Sequence, residues 1–222
     1  MHDRLKATPA VEGLRDNLPQ RAYLEQFRQQ DSWYTYGQFD SHGAFHQSRV
    51  LILANLALGF FTKKIGVNFP QTIKDAVSWT AVIHDTQIKP VWQGRYLIHG
   101  QDAADWVGVN LRDKMDSEVL DKTQYYCRLH VPDDKHIDKK QDTLTLTGLL
   151  IFKDADALDR VRFPFYNLGA RLDNTQLRFP FIKENLLPVA IELSRRTRDK
   201  KMPCNEAFDL VMGAAVDMGI VK

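Results

Sequence analysis

Between Val50 and Phe61 the apolar residues Val50, Leu51, Leu53, Ala54, Ala57, Leu58 and Phe61 recur at intervals of three and four. That period belongs to a helix buried along most of its surface. The spacing predicts one long helix from Ser41, able to cap its start, to about Lys64. The same pattern predicts helices over Gln20 to Gln30, Gln71 to His84, from Gln101 onward, Ser117 to His130, Leu144 to Val161, Asn185 to Arg195 and Asn205 to Met218. Runs alternating with period two are few and short. The chain therefore reads as all-α, a bundle of seven or eight helices. Residues before about position 15 read as a loose arm, and Asp31 to Gly37 as an ordered, aromatic-rich loop. Thr86 to Tyr96, with Pro90 and Gly94, and Pro132 to Lys135 read as connecting loops.

At 222 residues the chain is expected to form a single domain. With 44% hydrophobic and 26% charged residues it has the balance of a soluble globular protein, which excludes collagen-like, disordered and membrane-embedded classes. The longest apolar stretch, Val50 to Phe61, is interrupted by Asn55 and Gly59 and is shorter than the roughly 20 residues that span a bilayer. Thirty Lys and Arg against 28 Asp and Glu leave a net charge of +2, too even for a protein that coats nucleic acid. Cys127 and Cys204 form no CxxC, zinc-type spacing or disulfide framework. The start, Met1-His2-Asp3-Arg4-Leu5-Lys6, lacks the apolar core of a signal peptide. Both features lead to the expectation of a cytoplasmic protein, and the charge balance and short apolar run to that of neither nucleic acid nor membrane as partner.

Four places carry residues that an apolar helix would not choose for packing. In Ser41-His42-Gly43-Ala44-Phe45-His46-Gln47-Ser48-Arg49-Val50, His42 and His46 are four apart and share a face if both are helical. Ala81-Val82-Ile83-His84-Asp85 ends an apolar helix in an adjacent His and Asp. His99 precedes Gly100, and His130 closes a later helix. In Lys153-Asp154-Ala155-Asp156-Ala157-Leu158-Asp159-Arg160, carboxylates step into an apolar helix, where each needs a cation or donors. One arrangement covers all four: a metal held by imidazoles and carboxylates from different helices. These ligands suit Mn, Fe, Co, Ni or Zn, with Mg possible if few imidazoles take part. The plain alternative makes each His structural and each Asp a solvated or capping residue.

The order His46, His84-Asp85, Asp156 resembles the HD-domain superfamily of metal-dependent phosphohydrolases. His46-Gln47-Ser48-Arg49-Val50 resembles its His-x-x-Arg-Val motif, and Ala155-Asp156-Ala157-Leu158-Asp159 its Ala-Asp-x-Leu-Asp motif. His42-Gly43 and His99-Gly100 are similar to a subset of small bacterial members. The resemblance covers residues 41 to 163 as an HD-type metal-binding core and leaves 164 to 222 as a C-terminal helical extension. It implies a divalent metal, one or two per chain, on His46, His84, Asp85 and Asp156. Asp154 is the rival for the last place. Asp154 and Asp156 are two positions apart, which on a helix turns them about 200° from each other, so both cannot reach one metal. Asp156 matches the motif and puts Arg160 one turn further along its face, with Asp159 and Arg160 as supporting or ion-pairing residues.

The resemblance further implies hydrolysis of a phosphate ester, most commonly of a nucleotide, by a metal-activated water. His99 and His130 are candidates for general acid or phosphate contact. Where such proteins bind two metals, two further imidazoles from this segment complete the second position and the Asp of His-Asp bridges. His99 and His130 could fill that place, or contact substrate beside a single metal. His42, Arg49 and Arg160 are candidate substrate contacts, and Arg95, Arg128 and Lys153 lie near the motifs. Trp33, Tyr34, Tyr36, Trp92 and Tyr96 could stack on a base or simply pack. No Gly-rich phosphate loop is present, and the chain lacks the GYP motif of the cyclic-dinucleotide branch. Two other classes use related residues: a di-metal oxygenase of HD-type fold, and a metal-containing nucleotide-binding regulatory module.

Overall fold

The computed structural model describes residues 14–37, 42–89, 98–138, 140–163 and 177–222. Among these the protein is all-α, with eight α-helices and no strand. They are α1 (Arg21–Leu24), α2 (Ala44–Ile65), α3 (Gln71–Ile83), α4 (His99–Asn110), α5 (Ser117–Leu129), α6 (Thr143–Leu158), α7 (Pro180–Arg196) and α8 (Cys204–Asp217).

α2 is the axis of the bundle. Every residue from Ala44 to Phe61 is buried, and α3, α6, α7 and α8 all pack against it. By length and composition α2 could cross a membrane, which the interrupted Val50–Phe61 run did not suggest. Its most apolar window is 94% buried inside the bundle. The helix stops at Gly66, whose φ of 72° is the left-handed conformation that ends helices without a Cβ penalty. α4 and α5 pair with each other, and α5 also packs on α3. α5 and α6 begin on Asp116 and Asp142, whose carboxylates accept the Val119 and Thr145 backbone N–H at 2.9 Å.

Several boundaries differ from the sequence expectation. α2 starts at Ala44 with Gly43 as its N-cap, so His42 precedes the helix instead of lying one turn below His46. The Gln20–Gln30 helix shrinks to α1 and a 3-10 turn, Glu25–Phe27. α6 ends at Leu158 and tightens into a 3-10 turn over Asp159–Arg162. α7 begins at Pro180 rather than Asn185, because proline at the first helical position costs no hydrogen bond. The expected N-terminal arm and much of the 86–96 loop lie outside the described residues.

The C-terminal helices share the one core. Ile182, Leu186, Val189, Leu193, Phe208, Val211 and Met212 are buried with the α2 residues, and Phe61 meets Phe179 and Phe181 edge-on at 4.7 and 4.9 Å. Helix ends rather than helix middles converge at one side of α2, and the candidate ligands sit there.

Candidate metal centre

Each ligating candidate occupies a helix terminus, where the backbone frees a side chain to leave the packed face. His46 is in the first turn of α2, and His84 is the C-cap of α3 with Asp85 in the turn beyond. His99 opens α4, His130 caps α5, and Asp156 is in the last turn of α6. The structure brings all six together, every imidazole among them buried.

They form two groups that meet at Asp85. In the first, His46 Nε2 is 3.3 Å from His84 Nε2. Asp85 Oδ2 is 3.4 Å from each of these nitrogens, and Asp156 Oδ1 is 3.2 and 3.6 Å from them. In the second, His99 Nε2 and His130 Nε2 face each other at 2.9 Å. Asp85 Oδ1 is 3.1 Å from His99 and 3.7 Å from His130. One carboxylate therefore offers a different oxygen to each group. His42 Nδ1, 2.8 Å from Asp85 Oδ2, is the most exposed ring of the cluster.

The tautomers follow from the opposite edges of the rings. His46 Nδ1 faces Asp159 Oδ2 at 2.8 Å, His84 Nδ1 faces the carbonyls of Thr80 and Ala81 at 3.2 Å, and His130 Nδ1 faces the Cys127 carbonyl at 2.7 Å. These partners only accept, so Nδ1 carries the proton and a neutral ring turns a bare lone pair inward at Nε2. His46 and His84 would then oppose lone pair to lone pair unless a proton or a metal cation lies between them. Nitrogen and oxygen ligands about 2.0–2.2 Å from one ion stand roughly 2.8–3.6 Å apart in octahedral or tetrahedral sets. The spacings of the first group fall in that window and those of the second close to it. The buried His and Asp cluster is one that could hold a metal ion.

Electrostatics describe the same demand. Burial, with Arg162 nearby, opposes a charged His46, yet hydrogen bonds to Asp156, Asp159 and Asp85 raise its pKa to about 8. Burial opposes charge on His84 too, and Asp85 and Asp156 overcome it, raising the pKa to about 10. Burial would push Asp85 up, but His84, His42 and His130 hold it well below the carboxylate range; Asp156 is held down by His46 and His84 against the same burial. Without a cation the carboxylates recruit protons onto the imidazoles. His130 is the exception: burial pulls its pKa down despite Asp85, leaving a ring that favours its neutral, ligating form.

Arg49 requires a correction. Its guanidinium is fully buried and donates to Asp159 at 2.6 and 3.1 Å, to the Thr197 carbonyl at 2.7 Å and to Asp199 at 2.8 Å. It cannot meet a substrate; it holds the carboxylate that orients His46. Asp154 also points away from the cluster, accepting the backbone N–H groups of Arg178 and Phe179. Arg160, half-buried, lines a cleft of about 380 Å³ with His130, Asp134, Lys153, Asp156 and Arg178. Arg128 is exposed. Trp33 packs between Trp79 and Trp106, buried Tyr34 donates to Gln47 Oε1 at 2.6 Å, and Tyr36 lies under Lys89. Arg95, Trp92 and Tyr96 lie outside the described residues.

Sequence reasoning missed the carbonyls that set the tautomers of His84 and His130, since a backbone acceptor leaves no mark in residue type. It noted Gly100 without its reason. A Cβ there would collide with the Cys127 carbonyl and come within 2.9 Å of the His130 ring. No protein-family model, curated protein or solved structure matches the chain.

Proposed function

We propose that the protein is a metal-dependent phosphohydrolase of the HD type, holding two divalent cations and cleaving a phosphate ester. The observation that carries this reading is the division of Asp85, Oδ2 toward His46 and His84, Oδ1 toward His99 and His130. His46, His84, Asp85 and Asp156 would hold one cation, and Asp85, His99 and His130 the other. When bound, such cations supply a water of lowered pKa and neutralise charge on phosphoryl oxygens.

The chain's own residues prepare that chemistry. Asp159 and the carbonyls of Thr80, Ala81 and Cys127 accept hydrogen bonds from the Nδ1–H groups, which fixes the rings and leaves the Nε2 lone pair free to ligate. Asp156, with 21% of its side chain exposed, is where the first group opens to solvent, and the cleft beside it admits the ester. Arg160, on the cleft wall with Lys153 and Arg178, would meet a phosphate oxygen. A nucleotide is the substrate type that the family resemblance suggests.

Elemental analysis followed by a panel of nucleotides and simple phosphate esters with Mn, Co, Ni or Mg tests the reading. Turnover that disappears on chelation and returns with metal is expected. A fully loaded protein silent on the whole panel would move the assignment to the di-metal oxygenase, which uses the same ligand types. A protein that binds no metal would remove both.

A further inference from the structure

Lys153 is buried on α6, three residues before Asp156, and its Nζ spends its donors in an unusual way. It donates to the carbonyls of Leu129 at 3.0 Å and Pro132 at 2.7 Å, and pairs with Asp134 Oδ1 at 2.8 Å. Leu129 and Pro132 bracket His130. An ammonium at the C-terminus of α5 also meets the negative end of that helix, where the last carbonyls lack intrahelical partners. Burial lowers the Lys153 pKa and Asp134 opposes that effect.

The contact continues outward. Arg178 grips both oxygens of Asp134 at 2.6 and 2.8 Å and reaches Asp154 Oδ1 at 2.9 Å. Asp154, fully buried on α6, also takes the backbone N–H groups that lead into α7. Two adjacent residues of α6, Lys153 and Asp154, thus fasten the segment after His130 and the segment before α7 to the helix that carries Asp156.

We propose that Lys153 is a positioning residue for His130, tying the end of α5 to α6 and so setting the geometry of the Asp85, His99 and His130 group. This rests on the two-cation reading above. Lys153 touches no candidate ligand atom; it acts through the backbone on either side of His130. The His130 ring bonds back to the Cys127 carbonyl one turn earlier at 2.7 Å and meets His99 Nε2 at 2.9 Å, so where the ring sits relative to His99 depends on where α5 ends. Lys153 holds that end.

The test compares wild type with Lys153→Met and with Asp134→Asn, the latter a milder change at a half-exposed carboxylate that spares the fold if the buried substitution does not. Side-chain ¹⁵N resonances of His130 and His84 are read in the metal-free and zinc-loaded proteins, with Zn titrated at both positions. In Lys153→Met the His130 signals should broaden or shift, and the second cation should bind at least about tenfold more weakly, as when a support behind a ligand is lost. His84 signals and the first cation should be unmoved. Asp134→Asn should give the same pattern, smaller. Unchanged His130 signals in both variants would overturn the proposal, as would equal weakening of both cations, which marks general loosening. If wild type binds no metal the two-cation reading falls, and the His130 resonances still decide whether Lys153 positions the ring.

Discussion

Arg49 and Asp159, both fully buried, are joined by two hydrogen bonds between α2 and the turn after α6, and the same carboxylate faces His46 Nδ1. The pair is a brace behind the candidate centre. Removing Arg49 leaves the buried Asp159 carboxylate with Arg162 at 3.4 Å as a weaker counter-charge, so the cost reaches at most about 3–5 kcal/mol, that of a broken buried pair. Arg49→Met should therefore lower stability by up to that amount in denaturant unfolding and weaken metal binding with it. Unchanged stability with a raised KM alone would instead mark Arg49 as a substrate contact.

Single-ligand removals should separate the two groups. Asp85→Ala should abolish binding at both positions, while His130→Ala and His99→Ala should each cost one metal and leave the other. Elemental analysis after dialysis reads this directly. Retention of a full complement by Asp85→Ala would rule out the shared-carboxylate arrangement.

Protons and metal compete for the same imidazoles. His46 and His84 have pKa values raised to about 8 and about 10 in the metal-free fold, so their contribution to its stability is complete below the unfolded value near 6.5 and is lost as pH rises through 8 and then 10. Asp85 and Asp156, depressed, contribute stability that is lost only as pH falls below the carboxylate range. The metal-free protein should lose thermal stability between pH 7 and 10, whereas metal affinity should rise over the same interval with release of about one to two protons per cation at the first position. Melting curves with and without metal across that range check both signs. Equal metal stabilisation at pH 6 and pH 8.5 would contradict the competition.

Gly100→Ala should act on the second group alone. The added methyl meets the Cys127 carbonyl and the His130 ring, so overpacking of about 1–3 kcal/mol and a weaker second cation are expected. Gly213→Ala, in α8 with nothing near the added carbon, should be neutral or slightly stabilising. Calorimetric unfolding of the two variants side by side checks the contrast.

The long helices were legible because apolar residues recur every three or four positions in α2, α3 and α6, although α2 proves to be buried on every side from Ala44 to Phe61. Their ends were less so: Gly43 rather than Ser41 caps α2, and only the folded backbone shows which turn has helical geometry. The juxtaposition of His46, His84, Asp85 and Asp156 was foreshadowed by motif order, while Arg49 was misread because nearness in sequence does not say which face a side chain takes. Asp134 and Arg178 carried no local signal at all. They meet across 44 residues of chain, and nothing in either neighbourhood specifies the other.

The six ligating candidates arrive from five segments of chain between positions 46 and 156, and α7 and α8 contribute none. A cation bound among them is a cross-link, and the entropy it removes from the open chain grows with the logarithm of each loop it closes. It would tighten residues 46–156 against opening while adding nothing direct to the last two helices, which hold to α2 by packing and by the Arg49 bonds to Thr197 and Asp199. Cooperative unfolding depends on parts of similar stability being lost together. Loading the protein would widen the gap between these parts, so that a single heat transition in the metal-free chain becomes two when metal is present, the C-terminal pair leaving first.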